Sequence, residues 1–144
     1  MADQPQLKVN KHNPQQAAGE NTGCLILYQM EGEILKFVYI CSPLHGDIKN
    51  NIRKADEYCV YALHQGVIPL APHTIFTRYL DDNIPEQRQR GLQIGTELLR
   101  RCDELWVFGK TVSPGMTSEI NTAQVLKIPI RCIPETEIQT ELPP

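Results

Sequence analysis

The spacing of apolar residues divides the chain into an irregular start, a regular middle and a polar tail. Residues Met1–Thr22 are polar, rich in Gln, Asn and Ala, and show no sustained period. Such a segment buries too little apolar surface to offset its ordering entropy, so a disordered arm is predicted over 1–22. Two short apolar runs, Cys24–Tyr28 and Ile34–Phe37, flank Met30-Glu31-Gly32-Glu33 and predict a hairpin added to a sheet edge. Pro134–Pro144 is polar, ends in two prolines and is predicted to be a loose tail.

Between these ends the pattern alternates between strand and helix signals. Phe37–Cys41 is a continuous apolar run, as a strand covered on both faces requires. Ser42-Pro43-Leu44-His45-Gly46 breaks it, and Asp47 is placed to cap a helix. Ile52, Ala55, Tyr58, Cys59, Ala62 and Leu63 follow at helical spacing, and Gly66 marks the stop. Val67–Ala71 reads as a second strand. Pro69 has no N–H to give to a ladder, which puts that strand at or near an edge. After a polar loop containing Arg78, Asp81, Asp82 and Asn83, Pro85 opens a helix whose apolar face is Leu92, Gly95, Leu98 and Leu99. Leu105–Phe108 is a third strand. Met116, Ile120, Ala123 and Leu126 mark a third helix, and Ile128–Ile133 a fourth strand. Alternating strands and helices predict an α/β domain over 23–133, with a four- to five-stranded, mainly parallel sheet and right-handed crossovers. Ligands in such sheets bind beyond the carboxyl ends of the strands. Here those loops are Ser42–Asp47, Pro72–Asp82 and Gly109–Glu119.

Composition narrows the function classes. At 144 residues the chain fits one domain with a sizeable core. A net charge of −3 gives no field to attract a nucleic-acid backbone, so no nucleic-acid polymer is expected as partner. No apolar run approaches the ~20 residues of a membrane span, and the amino terminus lacks a signal peptide's apolar core, so the expected location is cytoplasmic. The 5 cysteines are odd in number, form no C-x-x-C pair and lie in or beside apolar runs, which predicts buried free thiols. Cys41 as a nucleophile is the lesser alternative, since no histidine is placed beside it. His12, His45, His64 and His73 show no metal-ligand spacing, and no metal or other cofactor is expected.

Two loops carry candidate chemistry. Tyr39-x-x-Ser42-Pro43-x-His45-Gly46-Asp47 runs from strand to helix, where backbone N–H groups can hold an anion, although such a turn is as often only a turn. Ser113-Pro114-Gly115-Met116-Thr117-Ser118-Glu119 opens a helix with an acid close to its start. The helix dipole favours an ionised carboxylate in a first turn by ~0.3–1 kcal/mol, and a carboxylate beside an anomeric carbon can act as nucleophile. The alternative is that Glu119 merely caps or charges the helix start. His73 points to the same rim, as a site residue or as a loop hydrogen-bond partner. Asp81 and Asp82 read as sugar-hydroxyl ligands or as a solvated acidic turn.

Val38-Tyr39-Ile40-Cys41-Ser42-Pro43, Pro72-His73, Cys102–Gly109 and Ser113–Ile120 together resemble the nucleoside 2-deoxyribosyltransferase superfamily, and within it a branch of uncharacterised bacterial and phage proteins. The resemblance spans Phe37–Ile133, and Ser113–Ile120 is its most specific part. It implies a flavodoxin-like, Rossmann-like three-layer sandwich. It also implies cleavage of the N-glycosidic bond of a 2′-deoxynucleoside or its 5′-monophosphate. A glutamate attacks C1′, the base departs, and another base or water takes the sugar. By this match Glu119 is the nucleophile and Tyr39 the active-site tyrosine. Ser113 lies where the deoxynucleotide hydrolases hold a 5′-phosphate. Gly46 and Gly115 are glycines of the two binding loops, and Ser42, Pro43, His45, His73 and Met116 complete the expected substrate site. Two positions depart from the pattern. The superfamily's catalytic aspartate on the helix before the third strand falls on Gly95, with Glu97 on a different face, and the hydrolases' first-loop arginine falls on His45. His73 or His45 would then have to supply the proton. The resemblance also implies a homo-oligomer, which light scattering would reveal. Three functions follow: an N-glycosidic enzyme, a non-catalytic nucleotide-binding module motivated by Gly95, or an interaction protein whose pocket is incidental.

Overall fold

The computed structural model describes residues 35–141; the predicted arm at 1–22 and all but the end of the predicted hairpin at 23–37 lie outside them. Four strands, β1 (Phe37–Cys41), β2 (Ile68–Leu70), β3 (Glu104–Phe108) and β4 (Ile130–Ile133), form a parallel sheet in the order β2-β1-β3-β4. Helices α1 (Ile48–His64), α2 (Pro72–Ile75), α3 (Pro85–Leu99), α4 (Pro114–Val125) and α5 (Glu135–Glu141) join and flank them. The chain leaves β1 for β2 on one side, then returns past β1 to β3 on the other. The sheet therefore has its switch point between β1 and β3, where a crevice opens above the strand ends.

Strand alternation sorts the core into two layers. Val38, Ile40, Trp106 and Phe108 face α1 and α5, and pack with Tyr58, Tyr61, Ala62 and Ile138. Tyr39, Cys41, Leu105 and Val107 face α3 and α4, and pack with Leu99, Met116 and Ala123. The expected three-layer α/β sandwich is thus present. The ring of Tyr58 stacks on Phe108 at 4.5 Å, a contact worth ~0.5–1.5 kcal/mol beyond its area.

Asp47 caps α1 as expected, its Oδ1 accepting from the Asn50 N–H at 3.2 Å. Gly66 follows the helix end in the left-handed conformation, φ 75°, that favours glycine there. The inward face of α1 is rotated from the predicted one. Tyr61 is buried, while Leu63 is 50% exposed, because Tyr58, Tyr61 and Ala62 complete the stripe against the sheet. Leu126 caps α4 rather than extending its buried face. Pro69 lies in β2, an edge strand among the described residues.

Other expectations are corrected. Within the described residues, Glu135–Glu141 after Ile133 form a helix rather than a loose tail. α5 lays Ile138 into the core at 6% exposure, and Glu137 Oε2 accepts from the Tyr61 hydroxyl at 2.9 Å. Arg131 also reaches Glu137 Oε2, at 3.3 Å, with its guanidinium 5.0 Å from the Trp106 ring centroid. The predicted loop after β2 begins with α2 and a 3-10 turn over Phe76–Arg78. Of the described cysteines, all free, Cys41 and Cys102 are buried, but Cys59 is half-buried and Cys132 is exposed. Cys132 sits on β4, whose first three residues are exposed. Among the described residues no helix is long and apolar enough to cross a membrane.

Candidate active site

A cavity of about 230 Å³ opens at the carboxyl ends of β1 and β3. Its walls are the loop after β1, the α2 turn, one face of α3 and the first two turns of α4. On α3 the lining residues are Arg88, Gly91, Leu92, Gly95, Thr96 and Leu99, the three-and-four spacing of a single helical face.

Glu119 stands at the centre. The Tyr39 hydroxyl donates to its Oε1 at 2.8 Å. Tyr39 is 1% exposed, so the last residues of β1 aim a fixed phenol at the carboxylate. Burial pushes the Glu119 carboxyl above the usual range, while hydrogen bonds from Cys41 and Tyr39 pull it down. Burial, then the nearby carboxylate, raises the Tyr39 phenol far above its ordinary value. The Cys41 thiol is raised for the same reasons, and its Sγ also lies 3.9 Å from the Met116 carbonyl oxygen. A thiol raised in this way stays neutral beside the carboxylate, which gives the thiol-nucleophile alternative no support.

The helix start does not need Glu119. Ser113 is the N-cap of α4, its Oγ accepting from the Met116 N–H at 3.3 Å, and Met116 Sδ accepts from the Ser113 N–H at 3.5 Å. Pro114 opens the helix, so Glu119 lies in the second turn, beyond the reach of the dipole term expected from sequence. Glu119 therefore neither caps nor charges the helix start, and it faces the cavity.

The remaining predicted residues divide. Ser42, His45, His73, Ser113, Gly115 and Met116 line the cavity with Tyr39 and Glu119. Ser42 Oγ lies 3.0 Å from His73 Nε2, tying the first loop to α2. Burial lowers His73 to about 4, against a smaller opposing pull from Asp56, so its ring is neutral at pH 7 and holds no proton to give as an imidazolium. Pro43 and Gly46 do not line the cavity. Pro43 packs against Gly109, and Gly46, at φ 96°, turns the chain into α1. Both shape the first loop from behind. Asp81 Oδ1 accepts from the Asn83 N–H at 2.9 Å within its own turn, whereas Asp82 reaches the cavity mouth. Asp103 accepts from the Phe37 N–H at 2.7 Å, at the opposite end of the sheet.

Gly95 does face the site. A Cβ there would lie 3.2 Å from the Tyr39 hydroxyl oxygen, tighter than ordinary contact. Sequence reading missed Arg88. Its Nη1 lies 3.4 Å from His45 Nε2 and 3.9 Å from Asp82 Oδ2, at the cavity mouth. Stepping back from Gly95 by helical intervals would have found it. Among the described residues no group of three or more His, Cys, Asp or Glu could hold a metal.

The fold is shared with a 2-deoxyribosyltransferase from Bacillus psychrosaccharolyticus, with a TM-score of 0.54 at 16% identity over 74% of this chain and 82% of that one. A 2-deoxyribosyltransferase from Leishmania mexicana aligns at a TM-score of 0.42 and 23% identity, over 68% of this chain and 63% of the other. Nothing among curated protein sequences matches. The profile of the family described as a domain of unknown function, DUF7768, matches residues 36–133, well over half of the sequence, and the chain belongs to that family.

Proposed function

We propose that the protein cleaves or transfers at the N-glycosidic bond of a deoxynucleoside or its 5′-monophosphate, with Glu119 as nucleophile. The observation that carries this is the half-buried Glu119 carboxylate, facing the cavity with the Tyr39 hydroxyl 2.8 Å from its Oε1. The shared fold supports it. The cavity, just below the ~300–1,000 Å³ typical of drug-sized ligands, suits one nucleoside unit.

In this reading an oxygen of ionised Glu119 attacks C1′ and the C1′–N bond breaks, its electron pair leaving with the base. The sugar is held as an ester on Glu119. Water or a second base then attacks C1′ and frees the carboxylate. Tyr39 fixes the attacking oxygen and supports the ionised form against burial. With glycine at position 95 and His73 neutral, the departing base takes its proton from His45, which lines the cavity, or from solvent. A positioned acid contributes ~10²–10⁴-fold, so turnover that relies on solvent is slow by that factor.

The test is base release from the common deoxynucleosides and their 5′-monophosphates, followed by chromatography. Wild type should release base, and a folded Glu119→Gln variant should not. No release from any of them would refute the reading. The absence of an acid at Gly95 favours one second reading, a nucleotide-binding module without turnover. Nucleotide-dependent thermal stabilisation with no base release would establish it.

A further inference from the structure

Arg88 is the only lysine or arginine among the described residues lining the cavity. It projects from the first turn of α3, on the same face as Gly95. Its partners are weak. Asp82 is 3.9 Å away with both side chains close to half exposed, a pair of little energetic weight. His45 Nε2 is at 3.4 Å, beyond a good hydrogen bond. A guanidinium has five N–H donors in a flat fork matched to phosphate oxygens, so most of that capacity is unspent.

The position suits an anion of one particular length. Arg88 and Gly95 are seven residues apart on one helix, or about 10 Å at ~1.5 Å per residue. The Gly95 end marks the Tyr39–Glu119 pair, since a Cβ at Gly95 would lie 3.2 Å from the Tyr39 oxygen. A sugar with C1′ at attacking distance from Glu119, ~3–3.5 Å, spans this interval through its ring and C5′. A 5′-phosphate on that C5′ would be directed toward the guanidinium, whose charge-assisted bonds to phosphate oxygens run ~2.7–2.9 Å. An unphosphorylated nucleoside leaves Arg88 without a ligand group.

Resting on the glycosidic reading of this cavity, we infer that Arg88, beside His45, is the residue that selects a deoxynucleoside 5′-monophosphate over the free nucleoside. The phosphate displaces the loose Asp82 contact and takes the guanidinium fork. The guanidinium that the first loop lacks is supplied from α3.

Matched pairs of deoxynucleoside and 5′-monophosphate decide this in wild type, Arg88→Ala and Arg88→Lys. Base release gives the ratio of kcat/KM within each pair, and calorimetry with each ligand gives the ratio of Kd without turnover. Arg88 is about half exposed, so both variants should fold, which circular dichroism checks. Wild type should favour the monophosphate. Arg88→Ala should shrink that preference ~10- to 100-fold, the span of a hydrogen bond to a charged group, and Arg88→Lys should retain part of it. A preference unchanged in Arg88→Ala, or equal use of both ligands by wild type, overturns the inference while leaving the glycosidic reading intact. Absence of base release in every case sinks that reading instead. Calorimetry then still decides the role of Arg88: monophosphate binding lost in Arg88→Ala upholds it, and unchanged binding overturns it.

Discussion

His73 should make the protein acid-labile through one identifiable group. Burial lowers its pKa from 6.5 to about 4. The unfolded chain therefore binds a proton below pH 6.5 that the folded chain refuses until about pH 4. The stabilisation is complete above pH 6.5 and is lost as the pH falls through this window. A gap of about 2.5 units at 1.36 kcal/mol per unit gives ~3 kcal/mol, large against a total of ~5–15 kcal/mol. Glu119 works the other way, because its carboxyl is raised. Its contribution is present below 4.5 and fades as the pH rises through its folded value, so acidification offsets part of the loss. The comparison must therefore be with a variant that keeps Glu119. In His73→Gln an amide can still reach Ser42, where Oγ now meets Nε2 at 3.0 Å, but it carries no titrating proton. Urea unfolding at about pH 7.5 and about pH 4.5 gives the stabilities. Wild type should lose ~2–3 kcal/mol more than the variant across that interval. Parallel pH dependences would refute the reasoning, and with it the exclusion of His73 as an acid in the cavity.

The glycines of α3 make a paired prediction. Each alanine raises helix propensity by ~0.8–1 kcal/mol. At Gly91 the new Cβ would meet Leu80 Cδ1 at an ordinary 3.7 Å, so Gly91→Ala should stabilise by ~0.5–1 kcal/mol in thermal unfolding. At Gly95 it would press on the Tyr39 oxygen at 3.2 Å, so Gly95→Ala should gain less stability and lower base release by displacing the phenol from Glu119. Equal stabilisation with full activity would show that Tyr39 has room to move. Tyr39→Phe removes a donor to the Glu119 carboxylate at 2.8 Å, a bond to a charged group worth ~1.5–3 kcal/mol. Because that bond holds the Glu119 pKa down, the acid limb of the pH–rate profile should move to higher pH and turnover should fall ~10-fold or more. A limb that stays in place would separate Tyr39 from the ionisation of Glu119.

The strand–helix alternation was legible because parallel strands covered on both faces must be apolar throughout, as Phe37–Cys41 and Leu105–Phe108 are. Pro69 likewise announced an edge, since a missing N–H is a local property. The loops that would face one another followed from the topology, and with them Glu119 and Tyr39. Local pattern could not assign α5. Its sequence is polar apart from Ile138, and only Tyr58, Tyr61 and the sheet give that residue something to pack against. Nor could it say whether Glu119 caps α4. Where α4 begins depends on which residue caps it, and only the folded turn shows Ser113 and Met116 satisfying the free N–H groups and leaving Glu119 to the cavity. Arg88 shows the same limit from another side. Its spacing from Gly95 is written in the sequence, but the meeting of that helical face with His45, forty-three residues away, depends on how α3 packs across the switch point. Periodicity and turn chemistry are set by neighbours along the chain, so the sequence by itself determined the order and type of most elements. The surroundings of each side chain are set by residues remote in sequence, and so the neutral ring of His73, the half-buried carboxylate of Glu119 and the loosely paired Arg88 were decided only by the tertiary structure.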